Sequence, residues 1–159
     1  MMKKIFYILI VLIVLPTAVL ARKSKKAPTV DIDSLVQSRD FVINVNRVYP
    51  QGGYDTSRFN PTGKLIVRND SVNADLPFFG ESHVSRYGDT DLGIKVNCPL
   101  DEESVTKRKK YIEMEFTSID KNNETMRFYV RAFDGGDCTI DIVSSYRSHI
   151  SYSGTIGKP

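Results

Sequence analysis

The sequence contains no tryptophan, two histidines and two cysteines in 159 residues. A metal centre needs about three or four converging donors, and this inventory is thin for one. No Gly-x-Ser-x-Gly elbow occurs, so the strained turn that presents a hydrolase serine is missing. Charge of one sign is not in excess: 22 Lys and Arg stand against 19 Asp and Glu, a net of +3. A broad basic footprint for nucleic acid is therefore excluded. No segment between the later apolar stretches carries a long helical period, which argues against a parallel sheet with crossover helices. What remains is ordinary: 41% hydrophobic and 26% charged residues, in a length that suits one domain.

The longest apolar run stands at the beginning. Met1-Met2-Lys3-Lys4 is basic, Ile5 to Leu15 is apolar throughout, and Pro16 and Thr17 break the run. Val19-Leu20-Ala21 then offers small or apolar residues where a signal peptidase reads. The run is short of the roughly 20 residues needed to cross a bilayer as a helix. The pattern predicts a secretory signal peptide over residues 1–21, cleaved after Ala21, with no transmembrane segment thereafter. No cysteine lies near that site, so the expected location is periplasmic or secreted, and not that of a lipoprotein. Loss of Lys3 and Lys4 leaves 20 basic against 19 acidic residues. Residues 22–30 read as a basic, solvated linker, and residues 31–159 as a single β domain.

Asp31 to Ser38 predicts a short helix: Asp31 or Asp33 can cap it, and Ile32, Leu35 and Val36 fall at helical spacings. From residue 41 the period becomes two. Phe41, Ile43 and Val45 alternate with polar or exposed-phase neighbours. Leu65 and Val67, Ile94, Val96 and Cys98, Ile112, Met114 and Phe116, Met126, Phe128 and Val130, and Cys138, Ile140 and Ile142 do the same. Each reads as a strand with one dry face and one wet face. Asn69-Asp70, Asp120 to Glu124 and Asp134 to Asp137 read as turns that join antiparallel neighbours. The fold expected is all-β: an antiparallel meander of about seven or eight strands curled into a small β-barrel, with the short N-terminal helix at one end. Cys98 and Cys138 both lie on the apolar phase. In an oxidising compartment they are a candidate disulfide, which would close a loop of about 40 residues and contribute about 4 kcal/mol.

Three stretches carry a family resemblance when taken together. They are Asp75-Leu76-Pro77-Phe78-Phe79-Gly80-Glu81, then Tyr87-Gly88 leading to Gly93-Ile94-Lys95-Val96, and Tyr146-Arg147-Ser148-His149-Ile150-Ser151-Tyr152-Ser153-Gly154. In that order, after Ser38-Arg39-Asp40-Phe41, they resemble the exported DUF4251 domain, known mainly from Bacteroidetes. The resemblance spans roughly residues 34–156. It implies a lipocalin-like β fold and an envelope location, and it implies no activity.

The candidate residues for function run from the first of these stretches to the start of the second. Phe78, Phe79, Glu81, His83 and Tyr87 form the expected ligand or partner surface, because two adjacent aromatics cannot both point into one face of a regular strand. Glu81 and His83 share a phase and with His149 sketch a metal site, but surface roles account for them better. His149 and Ser151 share a phase too, yet nothing in the sequence supplies the orienting acid and oxyanion hole that catalysis requires. Asp101-Glu102-Glu103 and Lys107-Arg108-Lys109-Lys110 read as opposite charge runs on one connecting loop. The expectation is a non-enzymatic binding module for a small apolar ligand or an envelope protein, without cofactor or metal. The alternatives are a structural or inhibitory interaction domain with no ligand cavity, and a hydrolase using His83 and His149.

Overall fold

The computed structural model describes residues 31–52, 61–84 and 93–159. Helix α1 (Ile32–Gln37) begins on Asp31, whose Oδ1 accepts the Ser34 N–H at 3.3 Å. Of the two aspartates able to cap it, the one preceding the first turn does so. Ile32, Leu35 and Val36 are buried. A six-residue helix is not stable alone, so this stripe holds it in place.

Among the described residues nine strands follow: β1 (Asp40–Pro50), β2 (Gly63–Arg68), β3 (Ser71–Leu76), β4 (Ile94–Pro99), β5 (Asp101–Lys107), β6 (Tyr111–Ile119), β7 (Thr125–Phe133), β8 (Asp137–Ser144) and β9 (Ile150–Gly157). They form one antiparallel sheet in the order β4-β3-β2-β1-β9-β8-β7-β6-β5. Two meanders, β1 to β4 and β5 to β9, meet where β9 pairs with β1. The two edge strands, β4 and β5, are consecutive in the chain and separated by Leu100 alone. The sheet must therefore curl until its edges approach, and it forms a half-barrel. α1 sits at the end where β1 begins. Strands β1, β3 and β8 finish at the other end, where the tight β6–β7 turn lies. Among the described residues no helix is long and apolar enough to cross a membrane.

Alternation explains most of this. In β7 the even positions from Met126 to Ala132 are buried and the odd ones are not. Phe116 and Phe128 face each other across the ladder and stack at 4.9 Å. The turns carry the residues that positive φ demands: Gly135 at 112°, Gly136 at 96° and Asn123 at 63°.

Nine strands exceed the seven or eight expected, and β3 and β5 are two that the alternation above does not name. β3 alternates cleanly, with Val72, Ala74 and Leu76 buried. β5 occupies what reads as a charged loop, and only 108–110 form the connection to β6. Its described positions are exposed apart from half-buried Glu103, so it has no dry face and leaves no period-two signal.

The Cys98–Cys138 bridge is not formed: both thiols are free. Cys98 lies on β4 against Ser118 of β6. Ser118 pairs with Met126, whereas Cys138 pairs with Ala132. Six positions along β7 place the two ends about 20 Å apart, far beyond the roughly 7 Å between Cα atoms that a disulfide spans. Both side chains point inward as the sequence predicts, but at opposite ends of the sheet. Burial, and then the Asp137 carboxylate, push the Cys138 thiol up to about 12. Thiol labelling of the native chain at neutral pH is expected to modify Cys98 first and Cys138 only on unfolding. Denatured, unreduced protein should label at both. Failure of the denatured chain to label would mean that the register is wrong.

Candidate functional site

The site begins where β3 ends. Pro77 cannot donate to a ladder, so the chain leaves the sheet there. It crosses the loop end of the half-barrel as the segment 77–84. Phe78 turns inward and is 7% exposed. It therefore belongs to the core, not to a ligand surface, which corrects that part of the expectation. Phe79 packs partly against the same core. Gly80 has a steric cause: a Cβ there would collide with the Ser148 hydroxyl and come within 2.7 Å of Phe78 Cζ.

The segment is then fastened to the β8–β9 connection. Ser148 donates its N–H to the Glu81 carbonyl at 2.9 Å, and its hydroxyl accepts the Glu81 N–H at 3.1 Å. Ser82 bridges Arg147, and His83 donates its N–H to the Tyr146 carbonyl at 2.7 Å. The Tyr152 hydroxyl, on a fully buried ring, donates to the Pro77 carbonyl at 2.9 Å. Burial holds that phenol well above its ordinary value, against a smaller downward pull from Arg147. The first and last of the three stretches that carry the resemblance are thus bound to each other, forming a clasp over one end of the sheet.

Below the clasp lies a buried ion pair. Glu124 is 1% exposed, and its carboxylate accepts from Arg147 Nε at 3.0 Å and from the Ser144 hydroxyl at 2.6 Å. Arg147 Nη1 reaches the Gly93 carbonyl at 3.1 Å, and the guanidinium lies 5.4 Å from the centre of the Phe78 ring. Sequence reading places Glu124 in a turn; the structure makes it, with Arg147, the polar centre of the loop end.

Glu81 and His83 are exposed on the clasp. Tyr87 lies outside the described residues, as do the 1–21 and 22–30 segments. His149 is on the outer face, with Nε2 3.8 Å from Asp141 Oδ1. Ser151 donates its hydroxyl to that same oxygen. The serine proton is therefore committed to the carboxylate, not to the imidazole, which is the wrong order for activating a nucleophile. Among the described residues no three His, Cys, Asp or Glu side chains gather to hold a metal ion.

Open space is found outside the sheet. A groove of about 520 Å³ separates the outer face of β3 and β4 from the β6–β7 turn. Asn73, Asp75, Lys95, Asn97 and Asn122 contribute polar groups to it. A second groove of about 410 Å³ over β1 and β2 shares Asp75 with the first. Sequence reading missed both. The only signal for them is the run of Asn, Asp and Lys on the wet phase of β3 and β4.

Three comparisons with known proteins bear on the chain. Residues 23–156 match the family described as "Domain of unknown function (DUF4251)". No curated protein matches. A crystal structure of a DUF4251 family protein from Bacteroides eggerthii DSM 20697 is similar in fold, with a TM-score of 0.59 at 15% identity. The match covers 80% of this chain and 85% of that one.

Proposed function

Because the chain belongs to the DUF4251 family, whose name assigns no activity, we propose its role from geometry: an exported, non-enzymatic binding module that recognises an extended polar segment of an envelope protein. One observation carries this reading. The inward faces of the strands merge into a single packed core, in which Ile43, Leu65, Phe128, Val130, Ile140 and Tyr152 are all 0% exposed. An apolar ligand entering the barrel would have to displace these side chains, at a cost set by close packing. That favours an interaction domain over a carrier of small apolar molecules.

Recognition then falls to the outer surface. The Asn73, Asn97 and Asn122 amides each offer both donors and acceptors, the chemistry that pairs with peptide N–H and C=O groups. Asp75 and Lys95, opposite each other on β3 and β4, add charges of both signs. The amino-terminal pattern supports export, and purified native protein beginning at Arg22 is the expected mark of it.

A photo-crosslinker placed at Asn97 in the living cell is expected to give one discrete adduct, weakened by Asn73→Ala with Asn122→Ala. Apolar fluorescent probes are expected to show no saturable uptake. A stoichiometric apolar ligand retained in native mass spectrometry, on protein purified gently from its own envelope, would overturn the reading.

A further inference from the structure

We infer that β5 is a self-complementary edge on which a second copy of this chain docks in antiparallel register, about a two-fold axis at Val105. The strand is the last of its sheet. Val105 at its middle is 51% exposed, one of the most exposed large apolar side chains among the described residues. Arg108 donates its N–H to the Tyr111 carbonyl at 2.9 Å across the turn. Antiparallel ladders alternate bonded and unbonded pairs. The β5–β6 register places Thr106 opposite Glu113 and Ser104 opposite Glu115, and these are the bonded positions. The N–H and C=O of Val105 and Lys107 therefore point away from β6, toward solvent.

The charge pattern chooses the occupant. Asp101-Glu102-Glu103 precedes Ser104-Val105-Thr106, and Lys107-Arg108-Lys109 follows. The sign inverts about Val105. Antiparallel self-pairing centred there sets Glu103 of each copy opposite Lys107 of the other. The acidic stretch of one copy then runs beside the basic stretch of its mate. Parallel pairing would set like charges side by side. Proline, bulges and edge charges commonly guard a strand against pairing; the described edge has no proline, its irregularity lies between Asp101 and Glu103 at the start of the stretch from Glu103 to Lys107 that would pair, and its two oppositely charged halves attract.

The same register aligns the backbone. Val105 meets Val105 of the second copy as a bonded pair, and residues 103 and 107 form the next bonded pairs on either side. Side chains agree as well. Glu103 already pairs with Arg39, and Lys107 with Asp33. Docking joins these into a row of alternating sign: Asp33, Lys107, then Glu103 and Arg39 of the second copy. One short strand buries less than a permanent dimer needs, so the association is reversible and salt-sensitive. This edge lies apart from the groove proposed for the envelope partner.

Sedimentation velocity on the mature chain tests it. A concentration-dependent dimer is expected at low salt, dissociating as salt rises. Glu103→Lys alone and Lys107→Glu alone should each weaken it at least about tenfold, because each sets like charges opposite one another twice. An equal mixture of the two variants should restore a heterodimer, since every facing pair is then of opposite sign. Val105→Pro removes an N–H that β6 does not use, so it should abolish the dimer with unchanged circular dichroism. A monomer at every concentration and salt would overturn the inference. So would a dimer that none of these variants alters, or a mixture that stays monomeric while each parent dissociates.

Discussion

Replacing Arg147 with leucine is expected to lower the stability of the folded chain by about 3–5 kcal/mol. The figure follows from what the substitution leaves behind. Glu124 is 1% exposed, and its carboxylate is held by Arg147 Nε, by Arg147 Nη2 at 3.5 Å and by the Ser144 hydroxyl. Without the guanidinium a carboxylate remains in the interior with its main counter-charge removed, and that desolvation is not offset. Glu124→Leu together with Arg147→Leu should recover much of the loss, because a buried pair replaced by apolar groups is often neutral. The double variant still lacks the Arg147 contacts with the Gly93 carbonyl and the Phe78 ring. Hydrogen exchange at residues 80–84 should therefore quicken in both variants, while global stability recovers only in the double one. Urea denaturation with exchange mass spectrometry separates the two effects. A single variant that loses less than about 1 kcal/mol would put the pair in the class of surface ion pairs.

This contrast also shows what was readable in advance. Period-two alternation identified the dry faces of β1, β2, β4, β6, β7 and β8, because a half-buried strand must alternate. It failed at β5, whose edge position leaves both faces wet. It also lost its phase within β1. The register shifts between Val45 and Arg47, so burial passes from Val45 to Val48 rather than to Arg47. A bulge inserts one residue, and no pattern of fixed period can follow it. Glu124 was hidden for a different reason. Charged residues after Asp-Lys-Asn-Asn read as solvated turn, and only the fold brings Arg147 beneath it. Phe78 and Phe79 were legible as an anomaly but not as a direction, since the inward choice depends on Gly80 and Ser148 letting the segment lie flat. For the cysteines the inward face was legible and the separation was not, because facing follows from local period whereas separation follows from strand order. The outer grooves left the weakest trace: wet-phase polar residues look alike whether they face open water or the wall of a cleft.

The bulge in β1 is also where the backbone tolerates least, and Gly154→Ala is expected to cost roughly 3 kcal/mol or more. Gly154 of β9 pairs with Val45 just where β1 takes its extra residue. A Cβ built on Gly154 would run into the Asn44 carbonyl oxygen, with Asn44 C at 2.9 Å and Val45 Cα at 3.0 Å. All three are backbone atoms, so no side-chain rotation relieves the overlap. Opening the β1–β9 ladder would part the two meanders at the junction that joins them. Flattening the bulge would slip the remainder of β1 by one residue and turn Val48, now 1% exposed, toward water. Gly157 provides the control on the same strand. Nothing lies within 4 Å of the Cβ it would carry, so Gly157→Ala should change stability by no more than about 0.5 kcal/mol. Thermal and urea unfolding of the two alanine variants side by side make the comparison. If Gly154→Ala proves as mild as Gly157→Ala, the bulge relaxes freely, and the close approach of β1 to β9 does not account for the glycine.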